Sequence, residues 1–217
     1  MNYDSIDHHQ VASLMKQAFA QVDQQSLAYL YATGKSELYA RDLLSSYINK
    51  LPDLPKNYFV GREWRLHDMT INNGSNPVLI VEGKSNTHYD AANRNRLLKN
   101  KTNMRKSAMD DIKKSRETLQ AIYGKKDAAQ IVITNLLFGI DLDPGYDLKL
   151  YEIGYASEFR KAIKKHGGFN QMVEVARAGV KDMLSEFGEV AYTPIECGTY
   201  RGMNVVIEFF AVSIGEK

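Results

Sequence analysis

Apolar residues Val11, Leu14, Met15 and Ala18 recur at helical spacing, so residues from about 8 to 32 read as helix, with Asp23 placed to break the run into two. Ser36 can cap a second helical stretch from Glu37 to about Asn49, whose apolar side is Leu38, Leu43, Leu44 and Ile48. Pro52 and Pro55 then enforce a turn. The pattern changes to strands at Tyr58 to Trp64, Met69 to Ile71 and, most clearly, Val78 to Val81. The turn-forming stretch Asn72-Asn73-Gly74-Ser75-Asn76-Pro77 between the last two predicts a hairpin. A polar loop is expected over 85–95, and a long helix from about Asn103 to Tyr123 carries Met104, Ala108, Ile112, Leu119 and Ile122 on one side. Further strands are expected at Ala128 to Phe138, Glu189 to Ile195 and Met203 to Ser213, with a helix at Phe169 to Phe187. The last two strands can pair around Gly198 to Gly202. Mixed in this way, the elements predict an α/β fold whose central sheet is partly antiparallel and flanked by helices.

A chain of 217 residues with 44% hydrophobic content suits one domain with a real core. It divides into an N-terminal helical extension over 1–34, a core over 35–138, and a part over 139–217 that completes the sheet and could supply recognition or dimer contacts. No run of eighteen apolar residues occurs, so no membrane span or membrane partner is expected. The N-terminal residues lack a secretory pattern, and the single cysteine, Cys197, excludes an internal disulfide, so the expected location is cytoplasmic. His8 and His9 with distant Cys197 do not make up a zinc ligand set. Asp141, Asp143 and Asp147 fail as a calcium loop because Tyr146 occupies the position that needs glycine. No phosphate-binding Gly-x-x-x-x-Gly-Lys-Ser/Thr loop is present, since Val78 stands where Gly83-Lys84-Ser85 would need the first glycine, which argues against ATP hydrolysis.

Charge changes the picture once it is divided along the chain. The net charge is +2, yet between Arg94 and Lys126 eleven Lys or Arg face three acids, giving that segment +8 and the remainder −6. Such a segment either forms a solvated helix face or draws a polyanion such as DNA or RNA. Arg94, Arg96, Lys99, Lys101, Arg105 and Lys106 are the candidates for backbone phosphate contacts, and Asn93, Asn95 and Asn103 could reach base edges.

Candidate chemistry sits just before this segment. The strand Val78-Leu79-Ile80-Val81 runs into Glu82-Gly83-Lys84, and a turn centred near Gly74 and Ser75 sets Asp68 opposite roughly Glu82 to Lys84. Two converging carboxylates favour a divalent cation between them, and all-oxygen ligation suits Mg²⁺, with the Gly83 carbonyl as a further ligand. Lys84 would orient or deprotonate a water, or offset developing negative charge. The competing reading is a surface salt bridge on an ordinary hairpin. Nearby, Glu63 is expected to pair with Arg62 or Arg65, His67 to be structural or superficial, and His88 to lie in a polar loop.

Asp68 followed by Glu82-Gly83-Lys84 after an apolar strand resembles the PD-(D/E)xK nuclease superfamily, the restriction-endonuclease-like fold. The likeness spans roughly residues 36 to 138 in the order helix, hairpin strands, basic helix, strand. It implies that Asp68 and Glu82 bind metal, that Lys84 assists the water, and that Glu37 is the further acid found on a preceding helix, with Arg41 or Asp42 contributing. The namesake proline is absent, and His67 stands in its place. The resemblance implies a Mg²⁺-dependent endodeoxyribonuclease (Mn²⁺ could substitute) acting on double-stranded DNA as a homodimer, most like a type II restriction enzyme. A junction-resolving, repair or phage nuclease of the same fold, or a catalytically silent nucleic-acid-binding protein, stays open as an alternative.

Overall fold

A computed structural model describes residues 2–34, 37–64, 67–125, 128–143, 145–146 and 153–214, with backbone alone at 37, 64, 94–101, 103 and 104. The first helical run is two helices, α1 (His8–Phe19) and α2 (Gln24–Thr33). Asp7 starts α1 through a reciprocal capping box with Gln10, and Asp23 accepts the Ser26 N–H at the head of α2. Helix α3 (Glu37–Asn49) has the expected bounds.

The sheet contains β1 (Tyr58–Trp64), β2 (His67–Asn73), β3 (Asn76–Thr87), β4 (Gln130–Ile140), β5 (Val190–Ile195), β6 (Thr199–Tyr200) and β7 (Met203–Ser213). Its main path runs β1-β2-β3-β4-β7-β5, with β6 beside β7. Among the described strands only β3 and β4 are parallel; the other pairs are antiparallel. A parallel pair needs a long crossover, here α4 (His88–Ala92) and α5 (Arg94–Tyr123). Two further helices, α6 (Ala156–His166) and α7 (Phe169–Leu184), precede β5. The mixed sheet flanked by helices is the α/β architecture expected. Among the described residues no helix is long and apolar enough to cross a membrane.

Strand alternation decides what each face of the sheet meets. On β3, Val81, Gly83 and Ser85 line a cleft with Met15 of α1 and Leu38 and Leu44 of α3. Glu82 on the same strand instead joins Ala108 of α5 and Met183 and Leu184 of α7. Between these layers β4 is buried continuously from Ile131 to Ile140, as a central strand covered on both faces must be.

Three expectations need correction. Residues 85–87 are strand, because Ser85, Asn86 and Thr87 pair with Leu136, Leu137 and Phe138 of β4, so the ladder overrides their polarity. Thr87 then caps α4 by accepting the Asp90 N–H, which leaves little of the 85–95 segment as loop. The basic helix begins at Arg94, and α6 lies where no element is expected, its apolar side being short and set among six charged or titratable residues.

Candidate active site

The hairpin register brings the three charged groups together. Met69 lies opposite Val81, and the turn closes between Asn73 and Asn76 around Gly74, whose φ of 58° suits a residue without Cβ. Asp68 Oδ2 accepts the Gly83 N–H at 2.8 Å, while the Asp68 N–H points to Glu82 Oε2 at 3.5 Å. A Cβ on Gly83 would lie 3.3 Å from Thr134 Oγ1 and 3.6 Å from Asp68 Oδ2, so a small residue lets the Asp68 carboxylate lie against this strand.

Lys84 is half-buried and lines the clefts on both sides of the sheet. Its Nζ lies 3.2 Å from Asp111 Oδ2 on α5. Burial alone would lower the lysine pKa, but the Asp111 carboxylate outweighs it, aided by the charges of Asp68 and Glu82, and the net direction is upward. Lys84 is therefore a stable cation.

Glu82 is almost wholly buried, at 3% exposure, and its Oε1 lies 2.5 Å from Nδ1 of fully buried His67. Ser115 Oγ on α5 comes within 3.4 Å of the same nitrogen. His67 is thus structural and not superficial; it anchors the Glu82 carboxylate beneath α5. One signal was available: His67 and Asp68 are consecutive in a strand and so must face opposite ways. Asp111 and Ser115 were missed as well, although they lie one turn apart among the apolar positions Ala108, Ile112 and Leu119 of α5.

On the α3 side, Asp68, Gly83, Lys84 and Thr134 open into a cleft of about 60 Å³ that also contains Arg41. That is room for a few water molecules or a small ion. Arg41 donates to Asp42 at 3.1 Å and to Glu63 at 3.2 Å, and Arg62 also pairs with Asp42 at 2.8 Å. Glu63 therefore pairs with Arg41, not with Arg62, while Arg65 lies outside the described residues. The Glu37 side chain likewise lies outside them.

Carboxylate oxygens are the donors that a hard cation takes. With Glu82 Oε1 held by His67 and Asp68 Oδ2 by the Gly83 amide, the oxygens with capacity left to bind one are Asp68 Oδ1 and Glu82 Oε2, which meets the Asp68 N–H only at 3.5 Å. Two carboxylates suffice for Mg²⁺, which keeps several waters and takes substrate phosphate as a ligand. The described residues do hold one group of three His, Cys, Asp or Glu side chains close enough to share an ion, but it lies elsewhere: His8, His9 and Glu189.

Of the six basic residues singled out, Arg94, Arg96, Lys99 and Lys101 have side chains outside the described residues. Arg105 and Lys106 are exposed, and Arg105 pairs with Glu186 at 3.3 Å. An exposed pair of this kind contributes about 0–1 kcal/mol, so a phosphate could displace it readily. His88, expected in a loop, is fully buried, its Nε2 2.8 Å from Glu208 Oε2. Glu208 also accepts from Arg177 at 2.6 Å and Tyr192 at 2.7 Å, a network across the sheet from the triad's α3 cleft and made by α4, β7, α7 and β5.

Compared with known proteins, the chain matches no family model, no curated protein and no solved structure.

Proposed function

We propose that the chain is a Mg²⁺-dependent phosphodiesterase that cuts double-stranded DNA, with Asp68, Glu82 and Lys84 as its centre. The observation that carries this is the convergence of Asp68, Glu82 and Lys84 at the open end of the β2–β3 hairpin, where Lys84 feels both carboxylates. Asp68 Oδ1 and Glu82 Oε2 would hold the ion. When bound, it would polarise a phosphoryl oxygen and lower the pKa of a coordinated water. Lys84, kept cationic by Asp111, stabilises negative charge developing on the phosphoryl group and does not act as the base. His67 fixes the rotamer of Glu82, so little reorganisation is needed when substrate arrives.

In this reading a duplex would lie across the mouth of the small cleft, with Arg41 on one side and the basic helix α5 on the other. Helix α5 has 30 residues, hence a length of about 45 Å, comparable to more than one turn of B-DNA. The succession α3, β1–β2–β3, α5, β4 follows the order of elements that the superfamily resemblance implies. Within the proposal, a homodimer with one site per strand accounts for double-strand scission, and a type II restriction enzyme is the form it favours.

The test is incubation of purified protein with supercoiled plasmid and with linear duplex, in Mg²⁺ and in EDTA. Cutting is expected in Mg²⁺ alone. Asp68→Asn and Lys84→Ala should each reduce the rate by at least about 100-fold while DNA still binds. Normal cutting by K84A, or binding without cutting by the parent chain in Mg²⁺ and Mn²⁺, would overturn the assignment.

A further inference from the structure

The group formed by His8, His9 and Glu189 has no part in the triad. His8 and His9 are the first two residues of α1, and Glu189 immediately precedes β5. The β5–β7 register explains how residues so far apart meet. Val190 pairs with Val212, so Glu189 comes level with Ser213 at the end of β7. Gly188 passes so close that a Cβ there would lie 3.3 Å from the Ser213 carbonyl. Ser213 in turn grips the head of α1. Its Oγ accepts the His8 N–H at 3.1 Å and lies 2.9 Å from His8 Nδ1.

Adjacent helical residues normally diverge by about 100°, yet the two imidazole centroids are 4.2 Å apart with planes inclined at 38°. His9 Nε2 lies 3.6 Å from Glu189 Oε1. One ligand atom from each residue falls within 4.8 Å of the other two. His8 supplies a second observation: its Nε2 is buried and makes no hydrogen bond. A buried polar nitrogen with no partner costs free energy unless something fills the gap.

We infer that His8, His9 and Glu189 bind a zinc-class divalent ion, with water in the fourth position, as a clasp fastening α1 to the β5–β7 edge of the sheet. Two imidazoles and one carboxylate form a nitrogen-rich set that suits zinc far better than the Mg²⁺ of an all-oxygen site. Bonds of about 2.0–2.2 Å in tetrahedral array put ligand atoms roughly 3.4 Å apart, so the side chains close by about 1 Å on binding. The His9 and Glu189 side chains, 53% and 78% exposed, are free to move that far. In the tautomer whose Nδ1–H donates to Ser213 Oγ, His8 Nε2 presents its lone pair, the outer-shell arrangement that metal-bound histidines use. The clasp does not depend on the phosphodiesterase reading, since it shares no residue with the triad.

The test uses the full chain carrying Asp68→Asn, so that the hairpin carboxylates cannot account for binding. After treatment with a chelator, Zn²⁺ is titrated against a chromophoric competitor and Co²⁺ is added separately for its visible spectrum. One zinc per chain at micromolar Kd or tighter is expected, with the absorption of four-coordinate cobalt. Zinc at 100 times Kd should raise Tm by about 5–10 °C. His9→Ala and Glu189→Gln, both at exposed positions, should each weaken binding at least about tenfold and remove the Tm shift. No saturable binding by about 100 μM zinc, or equal binding in either variant (an adventitious ion only), would overturn the site. Stoichiometric binding that leaves Tm unchanged would overturn the clasp.

Discussion

The buried pair His67–Glu82 offers the sharpest test of how the hairpin end is held. Both residues are nearly or fully inaccessible, at 0% and 3%, and their closest atoms are 2.5 Å apart. Replacing His67 with Leu keeps most of the volume and removes the partner of a buried carboxylate. The remaining nearby donor, the Asp68 N–H, is 3.5 Å from the other carboxylate oxygen and cannot compensate. Breaking a buried pair from one side costs about 3–5 kcal/mol. For a chain of this length that corresponds to a Tm fall of roughly 6–20 °C. Glu82→Met should cost less, about 1–3 kcal/mol, because an imidazole can stay neutral and Ser115 lies within 3.4 Å.

The double variant decides the matter. With both polar groups gone the site becomes an apolar contact beneath α5, and such replacements of buried pairs are often neutral or stabilising. His67→Leu with Glu82→Met should therefore recover most of the loss, giving a coupling energy of about 2–4 kcal/mol in a double-mutant cycle. Urea denaturation of the four proteins, followed by circular dichroism, measures it. If His67→Leu costs under about 1 kcal/mol, or if the double variant loses the sum of the single losses, the pair is not the anchor described above.

Three further outcomes are expected. Asp111→Asn should change stability by no more than about 1 kcal/mol, since its pair with Lys84 is partly exposed, yet should slow DNA cutting about tenfold in the plasmid assay by releasing the lysine. Burial would raise the Glu208 pKa, but His88 outweighs it, with Tyr192 and Arg177, and the net direction is downward; stability supplied by Glu208 is therefore present above its ordinary value of 4.5 and lost as pH falls through the depressed one. Urea midpoints measured against pH should show that acid limb flatten in Glu208→Gln, which also loses at least about 2 kcal/mol at neutral pH. Gly139→Ala would bring a Cβ within 2.6 Å of His88 Nδ1 in the buried run of β4, lowering stability by about 1–3 kcal/mol, and most of that loss should disappear when His88→Ala is added.

What could be read from the chain follows from how far each signal must reach. The bounds of α3, the break at Asp23 and the Gly74 turn depend on residues a few positions apart, and all were legible. The placement of Asp68 against Glu82 and Lys84 followed from that turn, because a hairpin converts short sequence spacing into spatial register. Polar residues set among apolar ones were harder to read. His67, His88 and Asp111 each admit two interpretations, a solvent-facing side chain or a paired interior one, and only the partner decides between them. That partner is 15 residues away for His67 and 120 for His88. The same limit hid the group of His8, His9 and Glu189, for the two histidines looked incomplete until the β5–β7 register brought Glu189 to the head of α1. Charged and polar groups buried by distant elements must be compensated by those same elements. The chemistry of such sites is therefore settled at the level of the sheet, and a sequence discloses it only where a turn has already folded the two halves together.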